Sequence, residues 1–140
     1  MTTFVSHSWL MKILLFTALS IGLAVLYKPL TNYYHASQIE DISVAELNTL
    51  LAQNEAIVLL DVRTEAEYQA EHIPDAVSMP VTTIEQHIDT VKKLSANKRL
   101  ITYCATGLRS YEALTLLKNY QISGVNLKGG FEAWWKQHKS

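Results

Sequence analysis

Leu100-Ile101-Thr102-Tyr103-Cys104-Ala105-Thr106-Gly107-Leu108-Arg109-Ser110 is the stretch whose reading decides the fold. An apolar run, Leu100 to Tyr103, leads into the only cysteine of the chain, and a short loop with one glycine and one arginine follows. Beyond it Tyr111, Ala113, Leu114, Leu116, Leu117 and Tyr120 recur at helical spacing. The pattern predicts a strand, a tight loop and a helix, with a thiol at the end of the strand. Backbone N–H groups at such a loop and helix start point at the sulfur and, with the helix dipole, favour the thiolate and any anion beside it. Arg109 adds a fixed charge with a forked donor array. A lone cysteine is usually a small buried hydrophobe, but an inert one needs neither Gly107 and Arg109 beside it nor a helix start after it.

Outward from this stretch, helix and strand signals alternate. Ser43-Val44-Ala45-Glu46 and Thr64-Glu65-Ala66-Glu67 each read as a capping box, in which hydroxyl and carboxylate satisfy each other's orphan N–H groups. Val44, Leu47, Leu50 and Leu51 continue the first helix, and the second is short, ending near Ala70. Between them Ala56 to Leu60 is a continuous apolar run of strand length, as buried parallel strands show. Ala76 to Met79 reads as a short strand closed by Pro80. Thr82 or Thr83 caps a helix with Ile84, Ile88, Val91 and Leu94 on one face. Gly124 to Leu127 is a last short strand, Lys128-Gly129-Gly130 a turn, and Phe131 to His138 a final helix carrying Trp134 and Trp135. The class is α/β, a short parallel sheet with helices on both faces. In such sheets reactive groups lie beyond the carboxyl ends of the strands, where both Asp61 and Cys104 fall.

The N-terminal part has a different texture. Ile13 to Tyr27 is a run of 15 residues without charge, between Lys12 and Lys28-Pro29. With Trp9 and Tyr27 at the two interfaces it predicts one hydrophobic helix, a membrane anchor in preference to a cleaved signal, since no A-x-A-like site follows. The expected organisation is an anchor or signal segment over 1–28, a linker over 29–38 and a domain over 39–140, on the non-cytoplasmic side of the membrane. From Ala36 onward ten Lys and Arg face thirteen Asp and Glu, a formal charge of −3. Neither that balance nor any basic stripe suggests nucleic-acid binding. The five histidines show no metal-like spacing. A single cysteine excludes an intramolecular disulfide and a resolving thiol in the same chain, so a modified Cys104 must be discharged by another molecule.

From Ile42 to His138 the chain resembles the rhodanese family of single-domain sulfurtransferases. Leu60-Asp61-Val62-Arg63 with Glu67-Tyr68 is similar to the family's first motif. His72-Ile73-Pro74-Asp75-Ala76 is similar to its HIPGA turn, with Asp75 where glycine is commoner, and Met79-Pro80 follows. Tyr103 to Ser110 resembles the active-site loop, and Leu127-Lys128-Gly129-Gly130-Phe131-Glu132-Ala133-Trp134 the closing motif. The resemblance implies a persulfide on Cys104, drawn from a small anionic donor such as thiosulfate, or from an organic persulfide. It would be passed to cyanide or a thiol, a protein thiol included, without metal or organic cofactor. Ala105, Thr106, Gly107, Leu108, Arg109 and Ser110 would surround the donor, with Arg109 as its cation. Thr106 and Ser110 would donate to sulfur or cap the helix. Asp61 and Arg63 would pair and brace the loop, and His72 would be part of the turn.

Two other readings stand beside this one. Phosphatases and arsenate reductases of the same fold hold a tetrahedral oxyanion in a loop with five residues between Cys and Arg. Only four separate Cys104 from Arg109 here, which suits sulfur better. Noncatalytic scaffold modules of the fold usually lack the cysteine. Basic residues early in the loop mark thiosulfate specialists, and Ala105 and Thr106 stand there instead.

Overall fold

The computed structural model describes residues 11–19 and 39–139. The chain divides into two units, 1–35 and 36–140. Of the first, a helix over residues 11–19 (α1) is described, so the expected anchor over 1–28 and linker over 29–38 lie largely outside the described residues. Among the described residues no helix is long and apolar enough to cross a membrane.

The second unit is built on a five-stranded parallel sheet of order β1-β5-β4-β2-β3. The strands are β1 (Asp41–Ile42), β2 (Ile57–Asp61), β3 (Val77–Ser78), β4 (Arg99–Tyr103) and β5 (Val125–Leu127). Five helices join them: α2 (Val44–Ala52), α3 (Glu65–Ala70), α4 (Ile88–Ser95), α5 (Leu108–Asn119) and α6 (Gly130–His138). Alternate side chains of the central strands feed two cores. Val58, Leu60, Leu100 and Cys104 pack with Ile88 and Val91 of α4 and Ala113 and Leu117 of α5. Leu59, Ile101, Tyr103, Val125 and Leu127 pack on the other face with Val44 and Leu47 of α2 and Trp134 of α6. This is the expected parallel α/β sheet covered on both faces.

The capping predictions divide. Thr64 and Glu67 close a reciprocal box on α3. Ser43 accepts from the Glu46 N–H at 3.1 Å, but the Glu46 carboxylate turns to Arg99 at 3.5 Å instead of back to the cap. The single helix expected from Ile84 to Leu94 breaks into a 3-10 turn, Ile84–His87, followed by α4, and the Thr83 hydroxyl donates to the Pro80 carbonyl rather than accepting from an N–H. Asp75 has a φ of 62°, the left-handed backbone that favours glycine and that Asp tolerates. Strand β1 has only two residues and no period to read; it exists because β5 offers it a paired edge.

Candidate active site

The register of the sheet brings the site together. Asp61 is paired with Tyr103 across β2 and β4, so the two strands end side by side and Cys104 leaves the sheet next to the segment Asp61-Val62-Arg63. The Val62 N–H donates to the Tyr103 carbonyl at 2.9 Å, extending the ladder one step beyond the strands. Asp61 and Arg63 are both buried and form an ion pair at 2.6 Å. Arg63 also donates to the Glu71 carbonyl at 2.7 Å and lies over the Phe131 ring at 4.1 Å. The pair therefore ties the end of β2 to the segment after α3 and to the start of α6. His72 stacks on Tyr68, with ring centroids 3.9 Å apart, in the turn where it was expected.

The loop after Cys104 curls because its carbonyls are held from outside. The first two N–H groups past the N-terminus of α6 donate to it: Phe131 to the Cys104 carbonyl at 2.8 Å and Glu132 to the Ala105 carbonyl at 3.1 Å. With those carbonyls drawn outward, the N–H groups of the loop turn inward to the sulfur. The close approach requires Gly130, where φ is 60° and a Cβ would lie 2.3 Å from the Cys104 oxygen. Gly130→Ala is expected to lower stability by about 3 kcal/mol through overpacking and left-handed strain. A shift of the urea midpoint at constant slope would read it, and an unchanged midpoint would show that this contact does not hold the loop.

Around the sulfur, the Gly107 N–H donates to Sγ at 3.1 Å, and the Ser110 hydroxyl stands at 3.8 Å. Burial pushes the Cys104 thiol up. The N–H groups of Ser110 and Gly107, then the Ser110 hydroxyl and the Thr106 N–H, outweigh that and bring it below the ordinary thiol value. Gly107 caps α5 with a φ of 117°, a conformation glycine adopts without strain. Thr106 is exposed and Ala105 half-buried, while Leu108 is 79% exposed at the rim.

Arg109, expected from the sequence as the cation for the donor, is held by a carboxylate. Both ends of its fork bind Glu67, at 2.7 Å each. Glu67 raises the Arg109 pKa above the ordinary value, with a lesser contribution from the nearby Cys104 sulfur. Arg109 holds the Glu67 carboxyl down at about 2, against the partial desolvation of that carboxyl. Glu67 thus stands beside the site, although the sequence reading placed it in a capping box and in the family's first motif and not among the site residues. Asn126, whose side-chain oxygen accepts from the Ser110 hydroxyl, left no signal in the sequence.

A thiol at a strand end faced by loop N–H groups makes a cradle for a sulfur anion. A family model described as the rhodanese-like domain matches residues 43–137. The chain belongs to the rhodanese-like domain family. A sulfurtransferase of Allochromatium vinosum is 34% identical over 97 residues, 69% of this chain and 88% of that protein. A thiosulfate:glutathione sulfurtransferase of Saccharomyces cerevisiae is 29% identical over 116 residues, covering 74% of this chain and 83% of its own length. The crystal structure of a rhodanese-like domain protein from Staphylococcus aureus superposes with a TM-score of 0.63 at 31% identity, over 69% of this chain and 91% of that one. Both of these named sulfurtransferases are matched along more than four-fifths of their own length.

Proposed function

We propose that this rhodanese-like domain is a sulfurtransferase that carries sulfane sulfur as a persulfide on Cys104. The observation that supports it best is the Cys104 sulfur facing the Gly107 N–H at 3.1 Å inside a loop whose first two carbonyls are bound by α6. In the first step the thiolate attacks the outer sulfur of the donor, and the donor's S–S bond breaks. Sulfite, or a thiolate from an organic persulfide, leaves with the bonding pair. In the second step a thiol or cyanide attacks the terminal sulfur of the persulfide, and the Cys104 thiolate is restored. The loop N–H groups stabilise the anion in each resting form without reorganising.

The pairing of Arg109 with Glu67 and the apolar, exposed Leu108 support an organic persulfide over thiosulfate as the donor. The same pairing argues against phosphoryl chemistry, which would need the fork of Arg109 open to hold a tetrahedral oxyanion. Glu67→Gln releases that fork and is expected to lower KM for thiosulfate by several-fold, roughly three to ten times; an unchanged KM would place Arg109 outside the donor site. The same substitution has a stability signature. A carboxyl lowered from 4.5 to about 2 contributes stability that is complete above 4.5 and is lost as pH falls towards 2. Because the pair is about a third exposed, solvent screening limits this to about 1 kcal/mol. Denaturant titrations should show that acid limb flattened in Glu67→Gln.

The sulfur-carrier reading is tested by intact mass. Incubation with thiosulfate or glutathione persulfide is expected to add one sulfur, about 32 Da, to Cys104 as a reversible persulfide. Cyanide should remove it. No gain from either donor would overturn the reading and leave a scaffold module.

A further inference from the structure

A line of hydrogen bonds runs from the domain surface to the neighbourhood of the sulfur. The Ser110 hydroxyl has three acceptors around it: Asn126 Oδ1 at 2.5 Å, the Gly107 carbonyl at 2.7 Å and Cys104 Sγ at 3.8 Å. It has one proton to give them. Asn126 Nδ2 donates to Asp41 Oδ1 at 2.8 Å, and the Tyr111 hydroxyl donates to the same oxygen. Burial and the bond to Asp41 push Tyr111 up to about 12, so its proton stays in place near neutral pH. A carboxylate only accepts, so Asp41 holds the amide with its N–H₂ outward and its oxygen towards Ser110. Ser110 must then give its proton to that oxygen to sustain the 2.5 Å contact.

Nothing in the packing calls for this arrangement. Ser110 and Asn126 are buried at 0% and 1% exposure, and burying an amide costs free energy unless its polar atoms are hydrogen-bonded. Thr102, the strand partner of Asn126, is likewise buried, and its hydroxyl has no partner among the described residues. A cluster of polar groups buried beneath the reactive loop signals a role in that loop's chemistry.

We propose that Asn126 is a positioning residue for the Cys104 sulfur: it acts through the single proton of Ser110, and Asp41 sets which end of the amide Ser110 meets. In the state described, the amide oxygen draws the hydroxyl proton, so the hydroxyl serves Sγ only at 3.8 Å and weakly, beside the backbone N–H groups. Turning the amide over would present N–H₂ to the Ser110 oxygen and free the hydroxyl proton from Asn126, leaving the Gly107 carbonyl at 2.7 Å and the thiolate to share it. The inference deepens the sulfur-carrier reading, but its test reads the thiol alone, so either can fail without the other.

Charged neighbours do not confuse that test. Arg109 on α5 and Glu67 on α3 keep their charges across any alkylation range, given how far Glu67 lies below it. The Asp61–Arg63 pair closes on itself at the end of β2, and α6 meets Cys104 through the Phe131 N–H. Glu132 on α6, whose N–H holds the Ala105 carbonyl, is unchanged in every variant, and a double variant isolates the charge of Asp41 on β1.

The experiment is the pH dependence of Cys104 alkylation by iodoacetamide in the full chain and in Asp41→Asn, Ser110→Ala and the double variant. Asparagine at position 41 can donate to Asn126 and let the amide turn. Asp41→Asn is therefore expected to shift the alkylation midpoint down by at least about half a pH unit, a threefold rise in thiolate below the midpoint. Ser110→Ala alone should move it less, and in the Ser110→Ala background the Asp41→Asn shift should vanish. Asn126→Ser, too short to reach Ser110, should reproduce the downward shift. An unmoved midpoint in folded Asp41→Asn and Asn126→Ser would overturn the proposal. So would an equal shift of Asp41→Asn with and without Ser110, which would reduce Asp41 to a distant charge.

Discussion

Cys104→Ser is expected to abolish sulfur transfer, by at least about a thousandfold, while the domain stays folded. The reasoning starts from burial. Cys104 is 1% exposed, and the groups around its sulfur are donors: the Gly107 N–H at 3.1 Å and the Ser110 hydroxyl. A serine oxygen of similar size can accept the Gly107 N–H, so no buried donor is orphaned and the stability change should stay within about 1 kcal/mol. Chemistry is another matter. A hydroxyl is far less acidic than a thiol, and the loop N–H groups cannot hold a serine alkoxide near neutral pH. Nor can oxygen store a sulfane sulfur in a form that a thiol then removes. Steady-state transfer from thiosulfate or glutathione persulfide, beside a melting curve, checks both halves. Turnover retained in Cys104→Ser would remove the persulfide mechanism, and an unfolded variant would show the cysteine to be a packing residue first.

Arg63→Leu should unfold the domain far more readily, by about 4 kcal/mol, although Arg63 lies outside the reactive loop. Leucine fills much of the space over the Phe131 ring, so lost packing is not the main effect. What the substitution removes is the partner of Asp61, whose side chain has no exposure. The guanidinium donates to both Asp61 oxygens, at 3.1 Å or less. Breaking a buried pair from one side leaves an uncompensated charge and costs more than the pair contributes when intact. The double change Asp61→Asn with Arg63→Leu, which removes both charges, should recover a large part of the loss. Urea denaturation of the parent and of these two variants measures this. A loss in Arg63→Leu below about 1 kcal/mol would mean that water reaches Asp61.

The two substitutions divide the site into what reacts and what holds. Cys104 and the loop could be read from one stretch because their signals are local: an apolar run, a cysteine, a glycine and a helical period. The order of helices and strands was legible for the same reason, from Ala56–Leu60 and Leu100–Tyr103 as buried strands and Thr64-x-x-Glu67 as a cap. Strand β1 was not legible, because two residues carry no period and its pairing is supplied by β5. The split of Ile84–Ser95 into a 3-10 turn and α4 was hidden too, since apolar residues three and four apart satisfy either geometry.

By itself, then, the sequence determined a parallel α/β fold for the second unit, with the one thiol of the chain at a strand end. Periodicity, caps and residue chemistry act within a few residues, and all of them are written in order along the chain. Tertiary structure decided how that thiol is surrounded. It closed the Arg109 fork on Glu67, a residue 42 positions away. It drew the Cys104 and Ala105 carbonyls onto the start of α6 through the close approach of Gly130. It also set Asn126 of β5 beneath Ser110 and linked it to Asp41 at the far edge of the sheet, 85 residues earlier. Each of these contacts depends on strand order and register, which bring distant segments within hydrogen-bond reach, and no local pattern records which partner a buried polar group will meet.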